Sequence, residues 1–289
     1  MRVIVVRSDT RRPIVDGSYT ERVRDRGARL GEVDVYNPRV AGRTFAIGDI
    51  HGDLTSLLTL LDRLPPLTAE DTLVFLGDYV DRGPDSAGVV AHVRELMDHG
   101  PAKVVALRGN HEDAWIQIVD RGWPEFVFPR QNGCLECYRS FTGGEPPRDD
   151  QLPAPAELDA MLTGSFLPKP VVAWMRALPY FHEDEHAIYV HAGIKRTDGA
   201  FPHPADVTPP RALLWLRDRD FFENYRGKLV VFGHTTTRTL PPELSTHTPD
   251  DPEDLWAGPA CVGLDTACGK GGFLTAFELP ARTVYESRG

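Results

Sequence analysis

Five apolar runs along the chain each end in a compact polar cluster, and this repeated arrangement restricts the fold more than any other feature. RTFAIG runs into GDIHGD at 48–53, TLVFLG into GDYVDRG at 77–83, and AKVVALRG into GNHED at 109–113. AIYVHAG and KLVVFGHT then deliver His191 and His234 in the same manner. The runs have strand length and apolar, often β-branched, composition. Between the first three lie DLTSLLTLLDRL and PDSAGVVAHVRELMDHG, with apolar residues at helical spacing, and HEDAWIQIVDRG continues as a third helix. Successive βαβ units predict a mostly parallel sheet, and in such a sheet ligands bind at the carboxyl edge of the strands. Asp49, His51, Asp78, Asn110, His191 and His234 are thereby expected on one rim.

Carboxylate, imidazole and amide oxygen without thiolate suit manganese, iron or zinc rather than copper or an iron–sulfur cluster. Six protein donors on one ion would leave it no open position for water or substrate. Two ions about 3.5–4 Å apart that share an aspartate would clamp the attacking and leaving oxygens of an in-line displacement. A single GD or GH arises easily by chance, and an isolated buried histidine is more often a satisfied core or capping residue. Five such clusters, each at a strand end, outweigh that bland explanation.

The texture changes between about 122 and 179, where PRQNG, TGGEPPRDD, LPAPAE and LPKP separate short helical stretches such as AELDAMLTG and VVAWMRAL. This segment is expected to form a cap-like insertion in a domain of residues 43–289, preceded by an N-terminal extension of residues 1–42 with one possible strand at each end. The closely spaced runs from AIYVHAG to RTVYES predict a second, more antiparallel sheet facing the first, with helices outside. The acidic, proline-rich ELSTHTPDDPEDLWAGP is expected to be a surface loop. The fold class is therefore α/β, built on two facing sheets.

Net charge is −10, from 42 acidic and 32 basic residues, with no basic run that would track a nucleic-acid backbone. Nucleic acid and membrane are not expected partners, and oligomeric state is not legible. The opening MRVIVVRSDT meets charge at Arg7, too soon for a signal core or a bilayer span, so a cytoplasmic location is expected. Cys134 and Cys137 have the spacing of half a zinc knuckle, but Cys261 and Cys268 do not supply the other half, so all four are expected as reduced thiols. His92, His99, His182, His186, His203 and His247 have no motif around them and are expected to be ordinary histidines.

GDIHGD, GDYVDRG, GNHE, HAG and GHT together resemble the metallophosphoesterase superfamily, and in particular its phosphoprotein phosphatase branch, from about Arg43 to Glu278. The resemblance implies a calcineurin-like fold, a four-layer α-β-β-α sandwich of two mixed sheets. It implies a first metal on Asp49, His51 and a bridging Asp78, and a second on Asp78, Asn110, His191 and His234, both most often manganese. Thr236 stands where broader superfamily members carry a further histidine, which matches the branch. The resemblance also implies direct attack on phosphorus by a metal-bridging hydroxide, with His111 as general acid oriented by Asp81. Arg82 and Arg108 resemble phosphate-binding guanidiniums, and Arg217 in LLWLRD offers a third, unless it pairs with Asp218 or Asp220.

The leading expectation for substrate is a phosphoprotein, because the Asp81–Arg82–Gly83 segment and a general-acid dyad suit a poor alkoxide leaving group. The SAPNY segment of the eukaryotic members is missing, and DTACGKGG with Lys270 stands in its region. The alternative is a phosphoanhydride hydrolase of the diadenosine tetraphosphatase or polyphosphatase type. A catalytically dead scaffold is disfavoured, since every expected ligand and dyad residue is present.

Overall fold

The structure, a computed structural model, describes residues 2–3, 42–148, 150–247 and 250–289. The N-terminal extension lies outside the described residues, except for β1 (Arg2–Val3). Three parallel strands, β2 (Thr44–Ile47), β3 (Thr72–Phe75) and β4 (Lys103–Ala106), carry the first three polar clusters. They alternate with α1 (Leu54–Arg63), α2 (Ser86–His99) and α3 (Asn110–Arg121). Asp53, the last residue of GDIHGD, caps α1 by accepting from Ser56 N at 2.9 Å, and Asp85 caps α2 by accepting from Gly88 N at 2.8 Å. Two acidic residues in or beside the motifs thus serve helix entry, satisfying amides that would otherwise lack partners.

Residues 122–179 form α4 (Pro124–Val127), α5 (Cys134–Thr142), α6 (Pro155–Thr163) and α7 (Lys169–Ala177). Phe126, Leu135, Met161 and Met175 share one buried cluster with Leu57, Val89 and Trp115, so this segment is built into the helix layer that covers the first sheet. The chain continues through β5 (Phe181–Glu183), β6 (Ile188–Val190), α8 (Arg219–Asn224), β7 (Val230–Phe232), β8 (Trp256–Ala257), β9 (Cys261–Gly263), β10 (Thr275–Leu279) and β11 (Thr283–Glu286).

The first sheet has the order β1-β11-β10-β2-β3-β4 and the second β5-β6-β7-β9-β8. Strand alternation explains the layers. Phe45, Ile47, Leu73 and Phe75 face the helices, while Ala46, Val74 and Leu76 face the second sheet, where they meet Tyr189, Val231 and Val262. Ile188, Val190, Val230 and Phe232 turn outward beneath Phe221, Phe222 and Trp256. The central strands β2, β3, β6 and β7 are apolar on both faces, as sheets covered on two sides require, and burying one such large side chain contributes about 1.5–3 kcal/mol.

Two expectations are corrected. The closely spaced C-terminal strands do not all enter the second sheet: β10 joins the first, antiparallel to β2, and β11 pairs antiparallel with β10, whereas in the second β6, β7 and β9 run parallel and β5 and β8 antiparallel. The acidic stretch after His234 is not all surface loop, since Leu255 and Trp256 are fully buried and Trp256 lies in β8.

Candidate metal centre

The loops after the strands are strained where the polar clusters lie. His51, Asp78, Asp81, Arg82 and His234 all have positive φ, between 48° and 72°. Non-glycine residues reach this left-handed region at a cost, and such outliers gather where surrounding structure forces a functional geometry. Glycines make the loops close enough. A Cβ on Gly109 would lie 2.2 Å from Asp78 Oδ1, and one on Gly233 would lie 2.1 Å from Asp49 Oδ1. Glu112 ties the second cluster to the third: its carboxylate accepts from the amides of Asp78 (3.0 Å), Tyr79 (2.8 Å) and Gly109 (2.9 Å). Burial, and then the neighbouring Asp78 carboxylate, push Glu112 up to about 8 against these bonds.

The structure brings all six expected ligand residues together. Two buried triads, His51–Asp78–His111 and Asp78–His191–His234, each gather their candidate ligand atoms within 4.8 Å, and Asp78 belongs to both. Asp49 joins through His51 Nε2 at 3.9 Å and through the His234 amide, which donates to Asp49 Oδ2 at 2.9 Å. Asn110 Oδ1 lies 2.9 Å from His191 Nε2 and 2.8 Å from His234 Nδ1.

The hydrogen bonds test whether these donors fit a cation. His51 Nδ1 lies 3.1 Å from the Val80 carbonyl and His191 Nδ1 lies 2.8 Å from the Leu76 carbonyl, so both rings carry their proton on that side. Their Nε2 lone pairs then face Asp78 oxygens at 3.4 and 3.5 Å, acceptor against acceptor, with the Arg82 guanidinium also touching His51 Nε2. Among the described residues, His234 Nε2 is buried without a hydrogen-bond partner. Burial holds His51, His191 and His234 below the ordinary imidazole range and lifts Asp49 well above the carboxylate range. Lone pairs converging on one space, with carbonyls fixing the far nitrogens, are the pattern of imidazole–carboxylate metal sites. The residues fit divalent cations.

His111 Nδ1 lies 2.6 Å from Asp81 Oδ2, and Trp115 Nε1 donates to the other Asp81 oxygen at 2.9 Å. His111 Nε2 then points at the cluster, 3.9 Å from Asp78 Oδ2. Arg82 contacts His51 Nε2 through Nη1 and donates from Nε to the Gln131 carbonyl at 3.2 Å. Arg217 is exposed and makes no hydrogen bond or ion pair among the described residues, while its charge helps to lower His191 and His234. The pairing with Asp218 or Asp220 does not form, because Asp220 is taken by Arg196 at 2.7 Å and Asp218 caps α8. Arg108, expected to bind phosphate, is held here by protein partners. Its guanidinium is engaged by Tyr180 Oη (2.8 Å) and the Arg176 carbonyl (2.5 Å), and lies 4.6 Å over the Tyr180 ring.

Three residues at the site escaped the sequence reading. Asp265, fully buried just past β9, accepts from Thr236 Oγ1 at 3.3 Å, pairs with Lys270 at 3.2 Å, and helps to lift Asp49. The LDT after PACVG was the available signal, a sixth strand ending in an acid. Asp113 holds Arg211 Nε at 2.5 Å from the first turn of α3, a pairing across 98 residues that no local pattern announces. The four cysteines are buried and free, and among the described residues none belongs to a metal-binding group.

The model of the calcineurin-like phosphoesterase family matches residues 42–238, and the chain belongs to this family. It is similar to the asymmetrical bis(5'-nucleosyl)-tetraphosphatase of Oceanobacillus iheyensis, with 27% identity over 82% of this chain and 88% of that one. The symmetrical enzyme of the same name from Nitrosospira multiformis is 29% identical over 52% of this chain, and the one from Dechloromonas aromatica 31% over 52%. The chain spans less than half the length of these last two relatives, 43% and 44%. A solved structure provisionally described as a diadenosine tetraphosphatase aligns with a TM-score of 0.53 at 25% identity, covering 86% of this chain and 94% of that one. Among the described residues no helix is long and apolar enough to cross a membrane.

Proposed function

We propose that this calcineurin-like phosphoesterase hydrolyses a phosphoanhydride bond in a small polyphosphate of the dinucleoside tetraphosphate class, at the cluster around Asp78. The observation that carries the reading is one carboxylate shared by two buried triads that meet lone pair to lone pair. Asp49, His51 and Asp78 are the proposed ligands of one cation, and Asp78, Asn110, His191 and His234 those of a second, with manganese, iron or zinc compatible with the donors. Divalent cations held there supply Lewis acidity toward the phosphoryl oxygens and the attacking water.

The chain's own residues do the rest. Arg82, on the His51 side, and Arg217, on the His191–His234 side, supply guanidiniums that match phosphoryl oxygens. Asp81, braced by Trp115, fixes the His111 ring so that Nε2 faces the leaving oxygen. Residues 122–179 act as a cap-like insertion: Phe126 lies edge-on to the His111 ring at 5.2 Å, and the Gly133 carbonyl accepts from Arg82 N at 3.3 Å. The named activity of the relatives favours an anhydride over the phosphoprotein that the motifs first suggested. One observation favours the second reading, hydrolysis of phosphoserine or phosphothreonine. The His111–Asp81–Trp115 chain is the machinery that a poor alkoxide leaving group needs.

The test is phosphate release by manganese-loaded protein from diadenosine tetraphosphate, tripolyphosphate and a phosphoserine peptide, compared by kcat/KM with a chelator control. Preference for either anhydride is expected. Preference for the peptide overturns the proposal in favour of the second reading.

A further inference from the structure

We infer that Trp123, Trp215 and Arg211 form a stacking platform for the base of a nucleoside polyphosphate whose phosphates reach the metal cluster; this rests on the anhydride reading above. Five aromatic rings run in succession beside the site. His111 meets Phe126 at 5.2 Å, Phe126 meets Trp123 at 5.5 Å, Trp123 meets Trp215 at 5.6 Å, and Trp215 meets His234 at 6.4 Å. The row therefore starts in one triad and ends in the other.

Trp115 and Trp256 are fully buried, but Trp123 and Trp215 keep part of their surface open. The Arg211 guanidinium lies 5.5 Å from the Trp123 ring centre and 5.6 Å from that of Trp215, and its side chain is 38% exposed. Only its Nε is bonded, to Asp113, so both Nη groups are free among the described residues. Asp113 also accepts from Trp215 Nε1 at 3.4 Å, so one carboxylate in the first turn of α3 orients ring and guanidinium together. The same helix supplies Asn110 and His111 to the cluster.

Such a surface has a chemical preference. Indole faces and a planar guanidinium stack on nucleobases of any sequence, and a cation beside the rings suits an anionic ligand. Two residues beyond Trp215, the exposed Arg217, without an ion pair among the described residues, lies within electrostatic reach of His191 and His234. A base on Trp123–Trp215 would thus leave its phosphate chain passing Arg217 on the way to Asp78. Inorganic polyphosphate would use Arg217 and leave the platform unused.

The experiment titrates the full-length, metal-loaded protein with a methylene-bridged dinucleoside tetraphosphate and with methylene diphosphonate, which lacks a base, following tryptophan fluorescence and calorimetric heat. The nucleotide analogue is expected to quench fluorescence. Its affinity relative to the diphosphonate should fall about tenfold in Trp123→Leu or Trp215→Leu, which keep an apolar side chain without a stacking face, and should stay within about threefold of the native ratio in the Phe variants. Alanine variants would add a larger loss but risk the fold. An unchanged ratio in the Leu variants, or equal weakening of both ligands, overturns the platform. The anhydride reading is decided separately by cleavage of tripolyphosphate, which has no base. Tripolyphosphate cleavage without preference for the nucleotide analogue would sink the platform alone.

Discussion

The two edges of the strands treat charge in opposite ways. At the amino edge, charges are paired on the spot. Arg43 reaches Asp71 at 2.7 Å, Lys228 reaches Glu183 at 2.9 Å, and Asp184 accepts from Thr44 and Tyr189 at 2.7 and 2.9 Å. Asp71 and Asp184 are pushed up by burial, yet their hydrogen bonds outweigh it and hold both below the ordinary range. At the carboxyl edge the balance reverses: burial lifts Asp49, Asp81 and Glu112 and lowers His51, His111 and His234. One edge is built to keep its charges with protein partners alone. The other gathers donors whose burial is offset only when something cationic is shared among them, and its left-handed residues add strain to that cost. Stability and chemistry are thus assigned to opposite ends of the same strands.

The largest test of this contrast is Asp78→Asn. Asparagine tolerates the residue's φ of 54°, so the loop should keep its shape. Activity on every substrate should fall by about a thousandfold or more, because both triads lose their common carboxylate. Bound metal, measured by elemental analysis, should fall with it. Wild-type protein should melt at higher temperature with manganese than with chelator, and the variant should lose that difference. A variant that keeps full metal content and activity would remove the shared-site argument.

A smaller effect, selective by substrate, is expected for His111→Asn. Turnover on alkyl phosphates should drop about 10²–10⁴-fold, the range that proton transfer to a leaving group contributes, while turnover on anhydrides falls much less. Steady-state kinetics on one ester and one anhydride decide it. Equal losses would mean that His111 positions the site and does not serve the leaving oxygen.

The smallest effect belongs to the amino edge. Asp71 sits at about 2 in the folded protein against about 3.9 when unfolded, so its stabilisation is complete above the unfolded value and disappears as pH falls from about 4 to 2. Asp71→Asn should therefore cost about 2 kcal/mol near pH 7, little near pH 2, and leave kcat unaltered. Denaturant melts at both pH values check it. A cost that persists undiminished in acid would show that the Arg43 contact acts through packing and not through charge.

How much was readable from the chain follows the same division. The six proposed ligands, the His111–Asp81 dyad and Arg82 lie in short motifs directly after strands, and local periodicity places them. Arg108 lies in the same kind of motif, but Tyr180 and the Arg176 carbonyl, about seventy residues away, decide where its guanidinium goes. Arg211 becomes part of the site only because Asp113 reaches across from α3. Asp265 was readable as an acid past a strand, but its bearing on Asp49 depends on β9 lying beside β7.

The sequence by itself determined which donors stand at strand ends, because side-chain chemistry and strand–helix periodicity are local properties. It also determined that the central strands β2, β3, β6 and β7 are buried on both faces, since their apolar residues leave no polar side. The tertiary structure decided which sheet each strand joins. β10 pairs with β2, and β11 with β10, instead of closing the second sheet, because alternation every two residues fits either partner and only long-range hydrogen bonding selects one. It also decided that two imidazoles present lone pairs to Asp78. That orientation is imposed by the carbonyls of Val80 and Leu76, and no pattern of residue types contains it.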